Sequence, residues 1–471
     1  MGLYPLWTTT RLTRGWFFIL YLNVLPKRLP TSAFLRPGTT VKRKWQTEEK
    51  SRIIFKTKER AAGGPCSQGD RDMINQKLYE IGTEPSVIRA LFAYGLEKAK
   101  EIGGENVYDY SLGNPSIPAP EKVNETIRCL TESVDSLSLH GYSMAAGFES
   151  VRKTVADILS RRFSFPIRGR DLFFTCGAAP ALISVIKALA AEASSEIIAI
   201  APYFSEYKYF VENNGAAFKV VPPDVEAFQV NYEALSAAIG EHTQAVIVNS
   251  PNNPSGVVYT EQTLRKIGAI LKEKEEQYGH PVYIIADEPY RELVYGEVTV
   301  PFIPAIYENT VVCYSYSKSL SLPGERIGYV YIPQNCADSE VLMAAVSGAA
   351  RIMGHVCPPS LFQRVVEECA DEKPDLKAYE ENRNLLYNSL TEMGYECAKP
   401  DGAFYLFVKA PNGDDRAFSE KAKLDYNLLV VPGAEFGCPG FLRLAYCVSN
   451  DMIRRSLPAF EKILKDYSEE G

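Results

Sequence analysis

One lysine in the second half of the chain has the surroundings of a reactive amine. Lys318 follows the apolar run 311–314 and stands between hydroxyl residues in the segment SYSKS, with Arg326 shortly after it. Burial and nearby positive charge both destabilise the ammonium form of a lysine. Lys318 is therefore predicted to act as a neutral amine that can form a Schiff base. An ordinary lysine at the end of a strand has the same local pattern. Other segments must therefore show whether Lys318 is reactive.

Three segments upstream have a related form, in which an apolar run stops at polar or glycine residues. They are LFFTCGAAPAL at 172–182, AVIVNSPNNPSG at 245–256 and VYIIADEPY at 282–290. Parallel strands buried on both faces have such sequences, and ligands bind at their carboxyl ends. In 172–182 a glycine turn leads into a helix whose free N–H groups and dipole can bind an anion. Each segment alone could also be a strand that ends in a common turn.

Taken together and in this order, the four segments resemble those of the class I/II aminotransferases. These are aspartate-aminotransferase-like enzymes of fold type I that depend on pyridoxal 5'-phosphate, and the resemblance runs from about Ile74 to the C-terminus. It implies an α/β fold with a mostly parallel seven-stranded sheet sandwiched by helices, and a smaller α+β domain. It also implies an amino acid and a 2-oxo acid as substrates, and a homodimer with shared active sites.

The resemblance assigns cofactor contacts to residues of these motifs. Lys318 resembles the Schiff-base lysine, and Asp287 resembles the partner of the pyridine nitrogen. Asn253 and Tyr290 look like the pair that hydrogen-bonds to the 3-oxygen of the ring, and Tyr290 is counted with the catalytic residues. The other implied contacts are Phe204, which would stack on the ring, and the phosphate-binding residues Gly177, Ala178, Ala179, Ser315, Ser317 and Arg326, with Tyr142 reaching the phosphate of the other subunit.

Substrate contacts follow from the same resemblance. Arg443, in FLRLAY, matches the arginine that binds the substrate α-carboxylate, and Gly113, in SLGNP, matches the glycine beside it. Asn253 is implied as a further substrate contact. Arg351, in ARIMGHVCPP, is a looser match to the arginine with which the other subunit binds the distal carboxylate of aspartate or glutamate. The alternative is that Arg351 is an ordinary solvent-exposed arginine of a helix. In that case the sequence does not indicate which amino acid is the substrate.

The chemistry of these residue types supports amino-group transfer. A buried carboxylate such as Asp287 compensates a protonated ring nitrogen, and Lys318, once displaced by substrate, becomes a general base for the α-proton. The planar fork of Arg443 fixes a carboxylate through two parallel hydrogen bonds. A lyase, decarboxylase or racemase of the same fold would share these residues. A non-catalytic regulator that binds the cofactor would need a DNA-binding module, and 1–72 shows none that we can identify.

Cysteine and histidine usage excludes several other classes. The chain has ten cysteines without a C-x-x-C pair and four scattered histidines. Neither a disulfide scaffold, nor a zinc hydrolase, nor a histidine-based triad fits this pattern. We therefore expect a reduced, cytoplasmic enzyme without a metal.

The first 72 residues differ from the rest. Lys and Arg outnumber Asp and Glu there, and Glu48 is the first acidic residue, although the whole chain has a formal net charge of −7. A mis-set start, with translation beginning at Met73, is the favoured explanation. Organelle targeting and a membrane anchor at 16–25 are the alternatives, but ten residues are too few to span a bilayer. No nucleic-acid-reading module is recognisable either, so we expect neither nucleic acid nor membrane as a partner.

The organisation predicted from these patterns has four parts. A basic extension, 1–72, precedes an N-terminal arm, 73–120, that contributes to the small domain. The large cofactor-binding domain covers 121–345, and the C-terminal small domain covers 346–471. Within them we predict helices near 85–102, 147–162, 180–193, 359–372 and 376–393, and strands at 197–201, 217–221, 326–332, 404–409 and 441–446.

Overall fold

The computed structural model describes residues 73–83 and 85–469. The predictions for 1–72, namely the start site, the targeting segment and the anchor at 16–25, lie outside the described residues. Lys77–Gly471 forms one compact unit, and the division into 73–120, 121–345 and 346–471 stays a prediction. Across the described ranges, no helix combines the length and the apolar character needed to cross a membrane.

Helices and strands alternate along most of the described chain. The strands are β1 (Tyr108–Asp109), β2 (Leu172–Thr175), β3 (Glu196–Ile200), β4 (Ala217–Val221), β5 (Thr243–Asn249), β6 (Tyr283–Asp287), β7 (Thr310–Ser315), β8 (Gly328–Tyr331), β9 (Cys397–Ala398), β10 (Tyr405–Lys409), β11 (Leu428–Leu429), β12 (Val431–Pro432) and β13 (Phe441–Ala445). The α-helices are α1 (Gln76–Thr83), α2 (Val87–Ile102), α3 (Glu121–Ser133), α4 (Ser136–His140), α5 (Glu149–Phe163), α6 (Ala178–Leu189), α7 (Tyr207–Glu212), α8 (Tyr232–Ala238), α9 (Glu261–Tyr278), α10 (Tyr316–Ser319), α11 (Ser339–Ile352), α12 (Ser360–Cys369), α13 (Lys377–Met393), α14 (Asp415–Tyr426) and α15 (Asn450–Glu469).

The central sheet has seven strands in the order β2-β8-β7-β6-β5-β3-β4. Strand β8 runs antiparallel to both of its neighbours, and the other neighbouring pairs are parallel. This confirms the predicted mostly parallel seven-stranded sheet. Asn249 and Asp287 are register partners at the ends of β5 and β6, so their side chains come together at one edge.

Alternate residues of the strands enter two different cores, as the twofold period of a strand requires. In β5, Val246 and Val248 pack with α3, α5, α9 and α12 on one face. Ala245 and Ile247 pack with α6, α7 and α11 on the other face. Burial on both faces explains why the strand sequences are continuously apolar and become polar only where the strands end.

A second sheet, with the order β12-β13-β10-β9, is antiparallel. It packs with α13, α14 and α15 around a separate core. The short strand β1 pairs in parallel with β11, so the segment just before residue 110 joins this part of the molecule. Arg443 on β13 and Tyr405 on β10 are brought together here, with the arginine 4.8 Å from the centre of the tyrosine ring.

Most of the predicted elements exist, with ends displaced by a few residues. Strand β4 has the predicted bounds, whereas the helix predicted at 180–193 is α6 and spans Ala178–Leu189. Pro180 lies in its first turn, where the missing N–H breaks no helical hydrogen bond. The helix can therefore begin directly after Gly177, and this places its N-terminus at the edge of the sheet.

Candidate active site

A cavity of about 300 Å³ lies where β5, β6 and β7 end. Its wall contains most of the residues that the sequence predicts for the site. These are Gly113, Ala178, Ala179, Phe204, Asn253, Asp287, Tyr290, Ser315, Ser317, Lys318, Arg326 and Arg443. The fold thus brings together residues as far apart in the sequence as Gly113 and Arg443.

Lys318 lies in the short helix α10, which follows β7 without a connecting loop. Its Nζ donates a hydrogen bond to the carbonyl oxygen of Gly113 at 2.8 Å. Burial lowers the pKa of Lys318 to about 8, and the positive charges of Arg326 and Arg443 add to this shift. About a tenth of the amine is therefore neutral at pH 7, far more than for an ordinary lysine, and the neutral form is the one that a nucleophile or base requires.

Asp287 is the last residue of β6 and is 4% exposed. Its Oδ2 accepts hydrogen bonds from the hydroxyl of Tyr207 and from Nδ2 of Asn249, the latter at 3.4 Å. Its Oδ1 has no hydrogen-bond partner among the described residues. Burial raises the pKa of Asp287 to about 7. A buried carboxylate oxygen without a partner is costly, so a positively charged N–H donor bound in the cavity would stabilise it.

Tyr207 is a site residue that the sequence analysis missed. It is fully buried, and its hydroxyl donates to Asp287. Its backbone N–H donates to the carbonyl of Phe204 at 3.0 Å, and the two rings meet edge to face with centroids 5.6 Å apart. The available signal was that Tyr207 lies three residues after Phe204, the ring predicted to stack on the cofactor. Residues three apart in a helical turn point to the same side.

The N-terminus of α6 forms one end of the cavity. Gly177 has a φ of 93°, and a Cβ there would lie 2.7 Å from Nη2 of Arg326, so glycine is required by both conformation and space. No side chain in 73–83 or 85–469 caps this end of the helix, and Ala178 and Ala179 line the cavity. Free backbone N–H groups, the helix dipole and Arg326 together suit a phosphate.

Two serines continue this end of the cavity from β7 and α10. The hydroxyl oxygens of Ser315 and Ser317 lie 2.7 Å apart, and the Ser317 N–H donates to Ser315 Oγ at 3.1 Å. Arg326 donates from Nη1 to the carbonyl of Pro323 at 2.9 Å, which fixes the direction of its guanidinium. Hydroxyl and guanidinium donors therefore face the same end as the α6 amides.

Arg443 forms the other polar end of the cavity, and it is 2% exposed. It donates to Asn253 Oδ1 at 3.1 Å and to the carbonyl of Ser111 at 2.5 Å, whereas its Nε has no partner among the described residues. Burial lowers the pKa of Arg443, and no carboxylate within the described part of the chain offsets this effect. Because a buried guanidinium without a counter-ion is unfavourable, the site is suited to a carboxylate ligand.

Tyr405 is a second residue that the sequence analysis missed. Its hydroxyl lies 2.9 Å from that of Tyr290, and its ring lies against the Arg443 guanidinium. A Cβ at Gly113 would lie 2.0 Å from the Tyr405 hydroxyl, which explains why residue 113 is a glycine. The predicted strand at 404–409 contained Tyr405, but no pattern showed that β10 would pair with the strand of Arg443.

Tyr142 and Arg351 do not line the cavity of their own chain. Tyr142 is 85% exposed and follows α4. Arg351 is exposed near the end of α11. The sequence analysis assigned both residues to the site of a second subunit, and both assignments stay predictions.

The arrangement fits pyridoxal phosphate at three points. The unsatisfied Oδ1 of Asp287 suits a protonated ring nitrogen, and the α6 amides with Arg326 suit the phosphate. Lys318 supplies an amine with a lowered pKa for covalent attachment to the cofactor aldehyde. Arg443 remains for the carboxylate of a substrate.

Comparisons with known proteins agree with this arrangement. Residues 104–460 match the family described as aminotransferase class I and II. The chain is 30% identical over 390 residues to a probable aspartate/prephenate aminotransferase of Aquifex aeolicus, covering 78% of this chain and 94% of that protein. It is also 30% identical over 402 residues to the aspartate aminotransferase of Thermotoga maritima, covering 83% and 99%.

Two solved structures extend the similarity to three dimensions. An amino transferase from Eubacterium rectale is 52% identical and superposes with a TM-score of 0.82, covering 84% of this chain and 99% of that one. The aspartate aminotransferase of Thermus thermophilus with maleate is 26% identical and has a TM-score of 0.73, covering 83% and 99%. The chain therefore belongs to the class I and II aminotransferases and is an enzyme that uses pyridoxal phosphate.

Proposed function

We propose that this aminotransferase moves an amino group between an L-amino acid and a 2-oxo acid in the cavity that contains Lys318. One observation carries the proposal. Two buried groups of opposite charge, Asp287 Oδ1 and Arg443 Nε, have no partners among the residues that the structure describes, and they lie in a cavity that also holds a lysine with a lowered pKa. Such a cavity is complementary to a cofactor with a cationic ring nitrogen and a substrate with a carboxylate.

Arg443 and Lys318 would act on the substrate. Arg443 would hold the α-carboxylate, and its bond to Asn253 fixes the direction of the fork. When bound, pyridoxal phosphate supplies an electron-accepting ring. Lys318, close to Gly113 and neutral in part, would take up the α-proton at Nζ and return it. Orientation by Arg443 selects the C–H bond rather than another bond of the α-carbon.

The other lining residues would hold the cofactor. Asp287 would pair with the ring nitrogen, and its hydrogen bond from Tyr207 keeps one oxygen fixed while the other stays free. Phe204 would pack on the ring, and Asn253 with Tyr290 would bind its 3-oxygen. The phosphate would lie against Ala178, Ala179, Ser315, Ser317 and Arg326.

We infer that the active unit is a homodimer with shared sites. An exposed apolar patch supports this, and its members are Leu137, Tyr142, Met144, Ile352, Met353 and Val356. Hydrogen bonds hold its segments together, including His355 Nε2 with the carbonyl of Ala145 at 3.2 Å. A patch of this kind is expected at a subunit interface, and Tyr142 and Arg351 could then serve the neighbouring cavity.

Arg351 bears on the choice of amino acid. Several relatives are named as aspartate or aspartate/prephenate aminotransferases. If a partner's Arg351 enters the cavity, aspartate and glutamate would be the preferred substrates, because an unpaired buried guanidinium disfavours neutral ones.

A half-reaction screen tests the proposed function. The enzyme loaded with pyridoxal phosphate is mixed with each amino acid in turn, and conversion of the cofactor to its amino form is followed by absorbance. Mass spectrometry identifies the product. Release of the matching 2-oxo acid is expected, whereas a decarboxylated product, a racemised product or a product that has lost its β-substituent would assign one of the alternative reactions. Lys318→Ala should lose more than about a thousandfold in turnover, the scale of removing a positioned base, and near-normal turnover of this variant would contradict the proposed role.

A further inference from the structure

A network of buried charges directly follows β6. Arg291 donates from Nη1 to Glu288 Oε2 at 2.8 Å and lies 3.4 Å from Glu292 Oε1 through Nε. Arg162 reaches the same Glu292 oxygen from α5 at 2.8 Å. Glu288 is 1% and Arg291 7% exposed. The mechanism above uses none of these four residues.

Tyr314 connects this network to the segment that carries the reactive lysine. Its hydroxyl lies 2.8 Å from Glu292 Oε2 and 2.8 Å from Ser319 Oγ. In both contacts the Tyr314 hydroxyl is the donor, so its single proton is shared between Glu292 Oε2 and Ser319 Oγ as acceptors. The Arg291 guanidinium lies 4.4 Å from the centre of the Tyr314 ring. Ser319 is the residue after Lys318, so the chain of bonds ends beside the reactive amine.

Helix α10 needs such support because it has only four residues. A helix of this length has no stability of its own and takes its geometry from tertiary contacts. On the side before Lys318, Ser317 is tied to Ser315. On the side after Lys318, Ser319 is tied to Tyr314. Lys318 is thus held between two hydroxyl contacts. The Ser317–Ser315 contact lies at the cavity, and the Ser319–Tyr314 contact connects to the buried charges.

Buried ion networks contribute little net stability compared with apolar packing of the same volume. Their directional bonds are what apolar packing cannot replace. Here those bonds join the residues that follow Asp287 to the residue that follows Lys318. We propose that Tyr314 and Ser319 are positioning residues that fix Lys318 relative to Asp287, with Glu292 and Arg291 as their anchor. The inference rests on the function proposed for Lys318.

Removing the hydroxyl of Tyr314 or Ser319 tests the inference. Tyr314→Phe and Ser319→Ala should each lower kcat about tenfold with little change in KM, since small displacements of a reacting group lower the rate more than binding. Ser319→Thr keeps the hydroxyl and should retain most of the activity. The double variant Tyr314→Phe/Ser319→Ala should lose no more than the larger single loss, because both changes break the same bond.

A readout in the cofactor-free chain separates positioning from turnover. An amine-reactive acylating reagent labels Lys318 at a rate that depends on its neutral fraction, and mass spectrometry locates the label. In wild type the labelling rate should rise with pH and reach half of its maximum near pH 8. In Tyr314→Phe and Ser319→Ala the midpoint should move upward, toward that of an ordinary lysine, because the loosened turn exposes the amine to water.

Tyr283→Phe is the matched control. Tyr283 is also a buried tyrosine of the central sheet, and its hydroxyl bonds to the carbonyl of Ala337 at 3.2 Å, outside the cavity. It should lower the melting temperature as Tyr314→Phe does while kcat stays within about twofold of wild type.

Each outcome decides the inference. An equal loss of kcat in the control, or normal kcat and labelling in both Tyr314→Phe and Ser319→Ala, would overturn it. If Tyr314→Phe does not fold, Ser319→Ala alone decides. Lys318→Ala is measured in parallel: full turnover there would refute the proposed function, whereas inactivity there with normal Ser319→Ala refutes only the positioning.

Discussion

Asp287 is placed for catalysis at a cost to the folded state. Its pKa is raised by burial from 3.8 to about 7, so the folded chain resists its ionisation more than the unfolded chain does. The sign follows from linkage. Stability from the neutral carboxyl is fully present below about pH 4 and is lost as the pH rises through about 7. A bound cationic ring nitrogen would reverse this loss.

Replacing Asp287 by asparagine should therefore stabilise the cofactor-free protein at high pH. We expect the free energy of unfolding of Asp287→Asn, measured with urea at pH 8, to exceed that of wild type by about 1–2 kcal/mol. The difference should be smaller at pH 5. The same variant should bind pyridoxal phosphate more weakly, because the partner of the ring nitrogen is lost. A difference in unfolding free energy that does not depend on pH would contradict the raised pKa.

Which residues the sequence reveals depends on how each side chain reaches the cavity. Asp287 and Lys318 end or directly follow buried strands, so a run of apolar residues points at them. Tyr207 is the first residue of α7 and Tyr405 the first residue of β10, and no apolar run that stops at a polar residue marks either of them; only the spacing of three residues from Phe204 pointed to Tyr207. Their roles depend on Asp287 and Arg443, which are distant in sequence and become their neighbours only after folding.

At the scale of elements, strands buried on both faces were the easiest to predict. Strands β5, β6 and β7 are continuously apolar because helices cover both faces of the sheet. By contrast, β1 and β11 have two residues each. Two residues are too few to show a period, so their parallel pairing could not be predicted from sequence. Helix ends were displaced by a few residues, because caps and end fraying set them locally.

The contact between the segment after β1 and strand β10 leads to a prediction at this scale. Gly113→Ala would place a methyl group 2.0 Å from the Tyr405 hydroxyl, and Tyr405 would have to move from its position against Arg443. We expect kcat/KM for amino acids to fall at least about tenfold, in line with the cost of a small misplacement at a reacting centre. Steady-state kinetics with an amino acid active in the half-reaction screen would measure it.

Gly104→Ala is the control for this change. A Cβ at Gly104 meets no atom within 4 Å, and the residue does not line the cavity. Its kcat/KM should equal that of wild type. Equal losses in the two variants would mean that the close approach of Gly113 and Tyr405 has no special part in substrate binding.

At the scale of the whole molecule, shared sites can be tested by mixing subunits. Lys318→Ala and Tyr142→Phe each damage a different half of a composite site. If the Tyr142 hydroxyl reaches the neighbouring phosphate, mixed dimers should contain one intact site and recover activity that neither variant has. Differently tagged chains allow the mixed dimers to be purified. Purified mixed dimers without recovered activity would argue against sharing.

Substrate choice is tested by Arg351→Ala. If Arg351 binds a distal carboxylate across the dimer, the variant should lose at least about 2 kcal/mol of transition-state binding for aspartate. Its kcat/KM for alanine or phenylalanine should change little. Equal losses for acidic and neutral amino acids, or no loss, would assign the residue to structure.

The hydrogen bond between Arg443 and the carbonyl of Ser111 spans 332 positions of the chain, and this has a consequence for synthesis on the ribosome. Domains generally form from the N-terminus as the chain emerges. The strand ends that hold Asp287 and Lys318 emerge well before Arg443, so the cofactor end of the cavity can form while the carboxylate end is still missing. A nascent chain stalled just before residue 443 should thus capture pyridoxal phosphate on Lys318 yet remain unable to process an amino acid.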